Sequence, residues 1–168
     1  FIPNFPLHRS TSCAIVLSNS MSDKQAFQTV GIIGAGTMGS GIAQVCAQSG
    51  YAVHVYDVNP ALLLKARQQV ESQLQALVNK GKLTDENRGH ILQRIRWTED
   101  PRSMTVDLII EAVVERLDIK QQLFSELEAI NHGNVLLTTN TSSIPVTQIA
   151  AALKNPANLA GLHFFNPA

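Results

Sequence analysis

The stretch Gly34-Ala35-Gly36-Thr37-Met38-Gly39 constrains this chain more than any other. It follows Thr29-Val30-Gly31-Ile32-Ile33, a short β-branched run of the kind that makes a buried parallel strand. It opens a stretch of small residues that suits a tightly packed helix, with Gly50 as its close. Glycines spaced G-x-G-x-x-G at a strand-to-helix joint divide the work among them. Gly34 permits the tight turn, Gly36 lets the backbone approach a pyrophosphate, and Gly39 lets the helix pack on the strand. The N–H groups of the first helical turn, at Thr37 and Met38, and the positive end of the helix dipole then meet the anion.

The next strand, AVHVYD over residues 52–57, ends on an acid eighteen residues after Gly39. A carboxylate there accepts hydrogen bonds from the ribose diol of an adenosine and repels a 2′-phosphate. Val58-Asn59-Pro60 offers no arginine to hold such a phosphate. Asp57 therefore points to NAD rather than NADP. The competing reading is an acid at a helix start, favoured there by the dipole alone.

Strand and helix alternate along the rest of the chain. Residues 61–80 carry apolar positions at Leu63, Ala66, Val70, Leu74 and Leu77, a helical stripe. A turn at Gly81 and a second helix capped by Thr84 complete a helical hairpin. IRWTED is a weak strand, DLIIEA (107–112) a strong one, and residues 117–130 an amphipathic helix. NVLLTTN (134–140) is a strand, Pro145 opens a helix to Leu153, and NLAGLHFF is the last strand. The expected fold is a Rossmann-type, doubly wound α/β domain over residues 28–168. Its sheet is mainly parallel, with right-handed crossovers and the hairpin inserted after the second strand.

Composition narrows the function classes. Lys and Arg together number 13, as do Asp and Glu, so there is no electrostatic footprint for nucleic acid or an anionic membrane. No apolar run approaches the ~18 residues that span a bilayer. Cys13 and Cys46 have no metal or redox spacing, and no metal is expected. Residues 1–27 precede the pattern. The first twenty are Ser-rich without an acid, and Met21-Ser-Asp looks like a natural start, so a mobile leader or appended segment outside the fold is expected.

Four segments name a reaction. GAGTMGSGIAQ (34–44), EAVVERLDIKQQLFSELE (111–128), TTNTSSIPVTQIA (138–150) and GLHFFNP (161–167), in that order, resemble the 3-hydroxyacyl-CoA dehydrogenases. The likeness is close to bacterial members that act on 3-hydroxybutyryl-CoA or 3-hydroxyadipyl-CoA. The resemblance implies NAD-dependent oxidation of an L-3-hydroxyacyl-CoA to the 3-oxoacyl-CoA. It makes His163 the general base, a role an imidazole suits because it titrates near neutrality. It places Ser142 at the substrate oxygen, Asn140 near the nicotinamide ribose, and Glu115 and Lys120 in contact with the cofactor. It assigns Lys80 to the CoA phosphates and Asn166 to the substrate side, with Gln73 where some members carry serine.

Each residue also has a plainer reading: His163 as a core histidine, Glu115 and Lys120 as a solvated pair at a helix start, Ser142 as a helix cap. In the family the chain runs on past Pro167 to a glutamate that pairs with the histidine, and then to a helical substrate and dimerisation domain. This chain is thus expected to be the cofactor-binding half of a cytoplasmic homodimer, with the mitochondrial matrix as the alternative location. Two other functions share parts of the pattern. The 3-hydroxyisobutyrate and phosphogluconate type begins with a similar glycine turn but lacks NTSS and HFFNP. Lambda-crystallin carries the fold in a non-catalytic role.

Overall fold

The computed structural model describes residues 27–165. The expected leader, save Phe27, and Asn166 lie outside the described residues. Six strands form one sheet in the order β3-β2-β1-β4-β5-β6, every neighbouring pair parallel. They are β1 (Thr29–Ile33), β2 (Ala52–Tyr56), β3 (Ile95–Thr98), β4 (Leu108–Glu111), β5 (Leu136–Thr139) and β6 (Leu159–Gly161). The helices are α1 (Thr37–Gln48), α2 (Pro60–Asn79), α3 (Asp85–Gln93), α4 (Leu117–Ile130) and α5 (Val146–Ala150). The order reverses between β1 and β4, the point at which a doubly wound sheet opens a crevice beyond its strand ends.

Alternation along each strand builds a core on either face. Val30, Ile32, Val53, Val55 and Ile110 pack with Ile42, Ala43 and Ala47 of α1 and with the stripe Leu63, Ala66, Val70 and Leu74 of α2. Ile33, Ile109 and Leu137 pack on the other face with Phe124 and Leu127 of α4 and Ile149 of α5. The hairpin of α2 and α3 starts and stops as its sequence dictates. Asn59 Oδ1 accepts from Ala61 N, Pro60 fills the first helical position, and Thr84 Oγ1 accepts from Asn87 N.

Several expected boundaries shift. β2 ends at Tyr56, leaving Asp57 just beyond the ladder. Past Ala151 the bonds tighten to three-residue spacing, Ala152 N to Ile149 O and Leu153 N to Ala150 O, so α5 stops short of Leu153 and Pro145 is its N-cap. β6 is far shorter than NLAGLHFF. After Leu162 N donates to Thr139 O, the next bond, from Phe164 N, goes to a side chain, Asn140 Oδ1.

The β1–α1 joint has no spare room. A Cβ on Gly39 would lie 1.8 Å from the carbonyl oxygen of Gly34. Gly34 itself has φ +100°, and its Cβ would lie 2.7 Å from the carbonyl oxygen of Ala112 at the end of β4. Gly39→Ala must push α1 off β1, at a cost of about 1–3 kcal/mol or more, typical of overpacking. Gly36→Ala should change stability by less than about 1 kcal/mol, because its φ is −70° and nothing lies within 4 Å of the added carbon. Urea unfolding midpoints of the two variants test this, and equal midpoints would contradict it.

Candidate functional site

Because every strand is parallel, the residues that follow the strands collect along one edge of the sheet. Gly34 follows β1, Asp57 follows β2, Glu115 follows β4, Asn140 and Ser142 follow β5, and His163 follows β6. This edge carries the candidate site.

At its centre α1 begins without a cap. Among the described residues no side chain caps its first turn, and that turn holds no acid. The first N–H groups of a helix have no partner within it, so those of Thr37 and Met38 are left for an external acceptor. Gly36 stands beside them in ordinary extended backbone with open space where a Cβ would be. Neither backbone conformation nor internal packing requires glycine at that position. An anion brought close to the backbone does, and the residues present fit a dinucleotide pyrophosphate.

Asp57 has a second task that sequence reasoning missed. Its Oδ2 accepts from Ala35 N at 2.8 Å and its Oδ1 from Asn59 N at 2.9 Å. The carboxylate thus ties the glycine turn to the end of β2. It is half-buried, and each oxygen keeps a lone pair for a ribose hydroxyl.

Beyond β4 the structure corrects the expected role of Lys120 and gives Glu115 a further one. Lys120 is only 1% exposed, and its ammonium is consumed internally. It lies 2.7 and 2.8 Å from the two carboxylate oxygens of Glu111 and 3.2 Å from Glu115 Oε2. An ammonium has three N–H donors, so none remains for a cofactor. Lys120 is therefore neither a direct cofactor contact nor a solvated partner at a helix start. Glu111, buried completely, also accepts from Thr139 Oγ1 at 2.6 Å and from Val113 N at 2.7 Å. Sequence reasoning passed it over, although it is an acid closing an apolar strand, the signal by which Asp57 was found.

Glu115 holds the Thr141–Ser143 loop. It accepts from the Thr141 hydroxyl, from Ser142 N and Ser143 N at 3.2 Å each, and from Ser143 Oγ at 3.0 Å. Partial burial alone would push its carboxyl up. The hydrogen bonds from Thr141, Lys120 and Ser143 outweigh that and pull it down to about 2. The serines therefore do not cap α5, whose N-cap is Pro145 without a side-chain bond. Ser142 N is fixed to Glu115, and the residue is exposed, as is Ser143.

His163 is exposed in this chain, which removes the core-histidine reading. Its ring meets Phe165 edge-on, centroids 4.8 Å apart. Lys80 is not brought to the edge. It is the exposed C-cap of α2, ~30 Å along the helix axis from Pro60 at 1.5 Å per residue.

The lowered Glu115 carboxyl has a consequence for acid stability. A folded-state value depressed from 4.5 to about 2 contributes stability that is complete above 4.5 and is lost as the pH falls toward 2. Glu115→Gln should flatten the pH dependence of the urea midpoint between pH 6 and pH 3. Parallel curves for wild type and variant would refute this assignment.

Comparison with known proteins agrees with this geometry. The family described as "3-hydroxyacyl-CoA dehydrogenase, NAD binding domain" matches residues 29–168. The 3-hydroxyadipyl-CoA dehydrogenase of Escherichia coli K12 is 47% identical over 142 residues, covering 84% of this chain and 30% of the relative. A 3-hydroxybutyryl-CoA dehydrogenase of Mycobacterium tuberculosis is 42% identical over 149 residues, covering 88% of this chain and 51% of the relative. The crystal structure of the (S)-3-hydroxybutyryl-CoA dehydrogenase of Ralstonia eutropha superposes with a TM-score of 0.81 at 39% identity, covering 84% of this chain and 50% of that one. The chain spans about half or less of the length of these relatives. Over the matched residues it belongs to the 3-hydroxyacyl-CoA dehydrogenase family, as its NAD-binding domain.

Proposed function

We propose that this chain is the cofactor-binding part of an NAD-dependent L-3-hydroxyacyl-CoA dehydrogenase. The observation that carries the reading is the gathering of the uncapped α1 terminus, Asp57, Ser142 and His163 on one edge of a parallel sheet. NAD+, when bound, supplies the acceptor for the hydride that leaves C3 of the substrate.

The protein's own groups divide the remaining work. The turn from Gly34 to Gly39 and the first-turn N–H groups hold the pyrophosphate. Asp57 accepts from the adenosine ribose and excludes a 2′-phosphate. Glu115 fixes the loop from which the Ser142 hydroxyl donates to the substrate oxygen. Asn140 lies at the end of β5, on the nicotinamide half of the crevice. A ring nitrogen of His163 takes the hydroxyl proton as C3 becomes a carbonyl carbon, and returns it in the reverse direction. Lys80, exposed at the tip of the hairpin, and Asn166 are assigned to the acyl-CoA, Lys80 to its phosphates. The intact protein is read as a cytoplasmic homodimer, the mitochondrial matrix being the other location, which fractionation and sedimentation of the full-length protein test.

Two measurements examine the reading. Titration of this chain with NADH and NADPH should show a clear preference for NADH, and equal affinities would sink it. Asp57→Ala should weaken NADH by about 1–3 kcal/mol. Asp57→Asn, which keeps an acceptor for Ala35 N, should instead narrow the gap between the two cofactors. In the full-length protein His163→Gln should lower kcat by at least ~10²-fold, the smaller end of what general acid–base catalysis contributes. NADH affinity should stay as it was, because the pyrophosphate and adenosine contacts lie on β1 and β2. A fully active His163→Gln enzyme would take the proton-transfer role away from this histidine.

A further inference from the structure

His163 is exposed, and its side chain makes no hydrogen bond among the described residues. Its ring meets that of Phe165, itself 77% exposed. Where the imidazole stands is therefore decided by the backbone on either side of it. Two hydrogen bonds fix that backbone. Leu162 N donates to Thr139 O at 3.0 Å, which continues the β5–β6 ladder. Phe164 N donates to Asn140 Oδ1 at 2.6 Å, and this bond alone depends on a side chain.

Asn140 is itself held firmly. Its N–H donates to Glu111 O at 2.9 Å, and the preceding Thr139 hydroxyl donates to the buried Glu111 carboxylate. That carboxylate is locked in turn by Lys120 and Val113 N. The amide orientation follows from chemistry, since a backbone N–H requires the oxygen of the side-chain amide as acceptor. With Oδ1 committed to Phe164, the two N–H groups of Nδ2 have no partner among the described residues. They stand at the end of β5, on the edge that carries the glycine turn.

We propose that Asn140 is a positioning residue that couples the cofactor site to the general base. Oδ1 holds the His163 segment through Phe164 N, while Nδ2 donates to an oxygen of the bound dinucleotide. One side chain fixed at both ends is more ordered than one fixed at a single end, so dinucleotide binding tightens the segment that carries the imidazole. The inference rests on His163 as the base, but its test reads the backbone and not turnover.

The test is amide hydrogen exchange by NMR on this chain, with and without saturating NADH, in wild type, Asn140→Ala and Asn140→Asp. Asn140→Ala should speed exchange at Phe164 by about tenfold, the size of one lost hydrogen bond, while Leu162 stays protected. Asn140→Asp retains an acceptor, so it should keep the Phe164 protection without NADH. It lacks the donor, so NADH should slow Phe164 exchange in wild type and leave this variant unchanged. Asn140→Asp also answers the question if the alanine variant fails to fold. Equal Phe164 protection in wild type and Asn140→Ala, or no response to NADH in wild type, would overturn the coupling. An intact Phe164 response together with a fully active full-length His163→Gln enzyme would instead remove the catalytic reading and leave the coupling standing.

Discussion

The carbonyl oxygen of Gly34 lies where a Cβ on Gly39 would have to go, and much of the molecule follows from that contact. It seats the first turn of α1 directly on the end of β1, next to the reversal of strand order between β1 and β4. The helix start has no side chain of its own to satisfy it, so its N–H groups and dipole point into the crevice unopposed. Asp57 then does two jobs with one carboxylate. By accepting from Ala35 N it ties the glycine turn to the end of β2, and by accepting from Asn59 N it shapes the entry to α2.

The other half of the edge is organised by charge inside the protein. Lys120 reaches back from α4 to two carboxylates, one at the end of β4 and one in the loop that follows. Taking Lys120 and Glu111 out of water is costly, and the cost is offset only because nearly every donor and acceptor has a partner. Glu111 takes Lys120, Thr139 and Val113 N, while Glu115 takes Lys120 and the Thr141–Ser143 loop. The cluster, buried at Lys120 and Glu111 and open to solvent at Glu115, therefore fixes the ends of β4 and β5 and the two short segments bearing Ser142 and His163. Exposed side chains need such rigid support to keep a fixed place, since in water they are otherwise held by little more than their own backbone.

The repeating elements were legible in the sequence because period and capping are local. β1 and α4 fall where their patterns predict, over 29–33 and 117–130, and Thr84 caps α3 as its spacing indicates. The ends of α5 and β6 were less legible. One turns on a change from four-residue to three-residue hydrogen bonding, the other on a side chain replacing a strand partner.

Of the site, the sequence by itself determined the glycine turn, the acid after the second strand, and the identities of the histidine, serine and asparagine. Each of these sits in a short motif whose chemistry depends on neighbours in the chain. Only the tertiary structure decided that Lys120 is buried and spent on Glu111, that Glu115 holds a loop twenty-six residues further on, and that Asn140 grips Phe164. Burial and the choice among hydrogen-bond acceptors depend on which strand ends meet at one edge. Strand order sets that meeting, and no run of neighbouring residues encodes it.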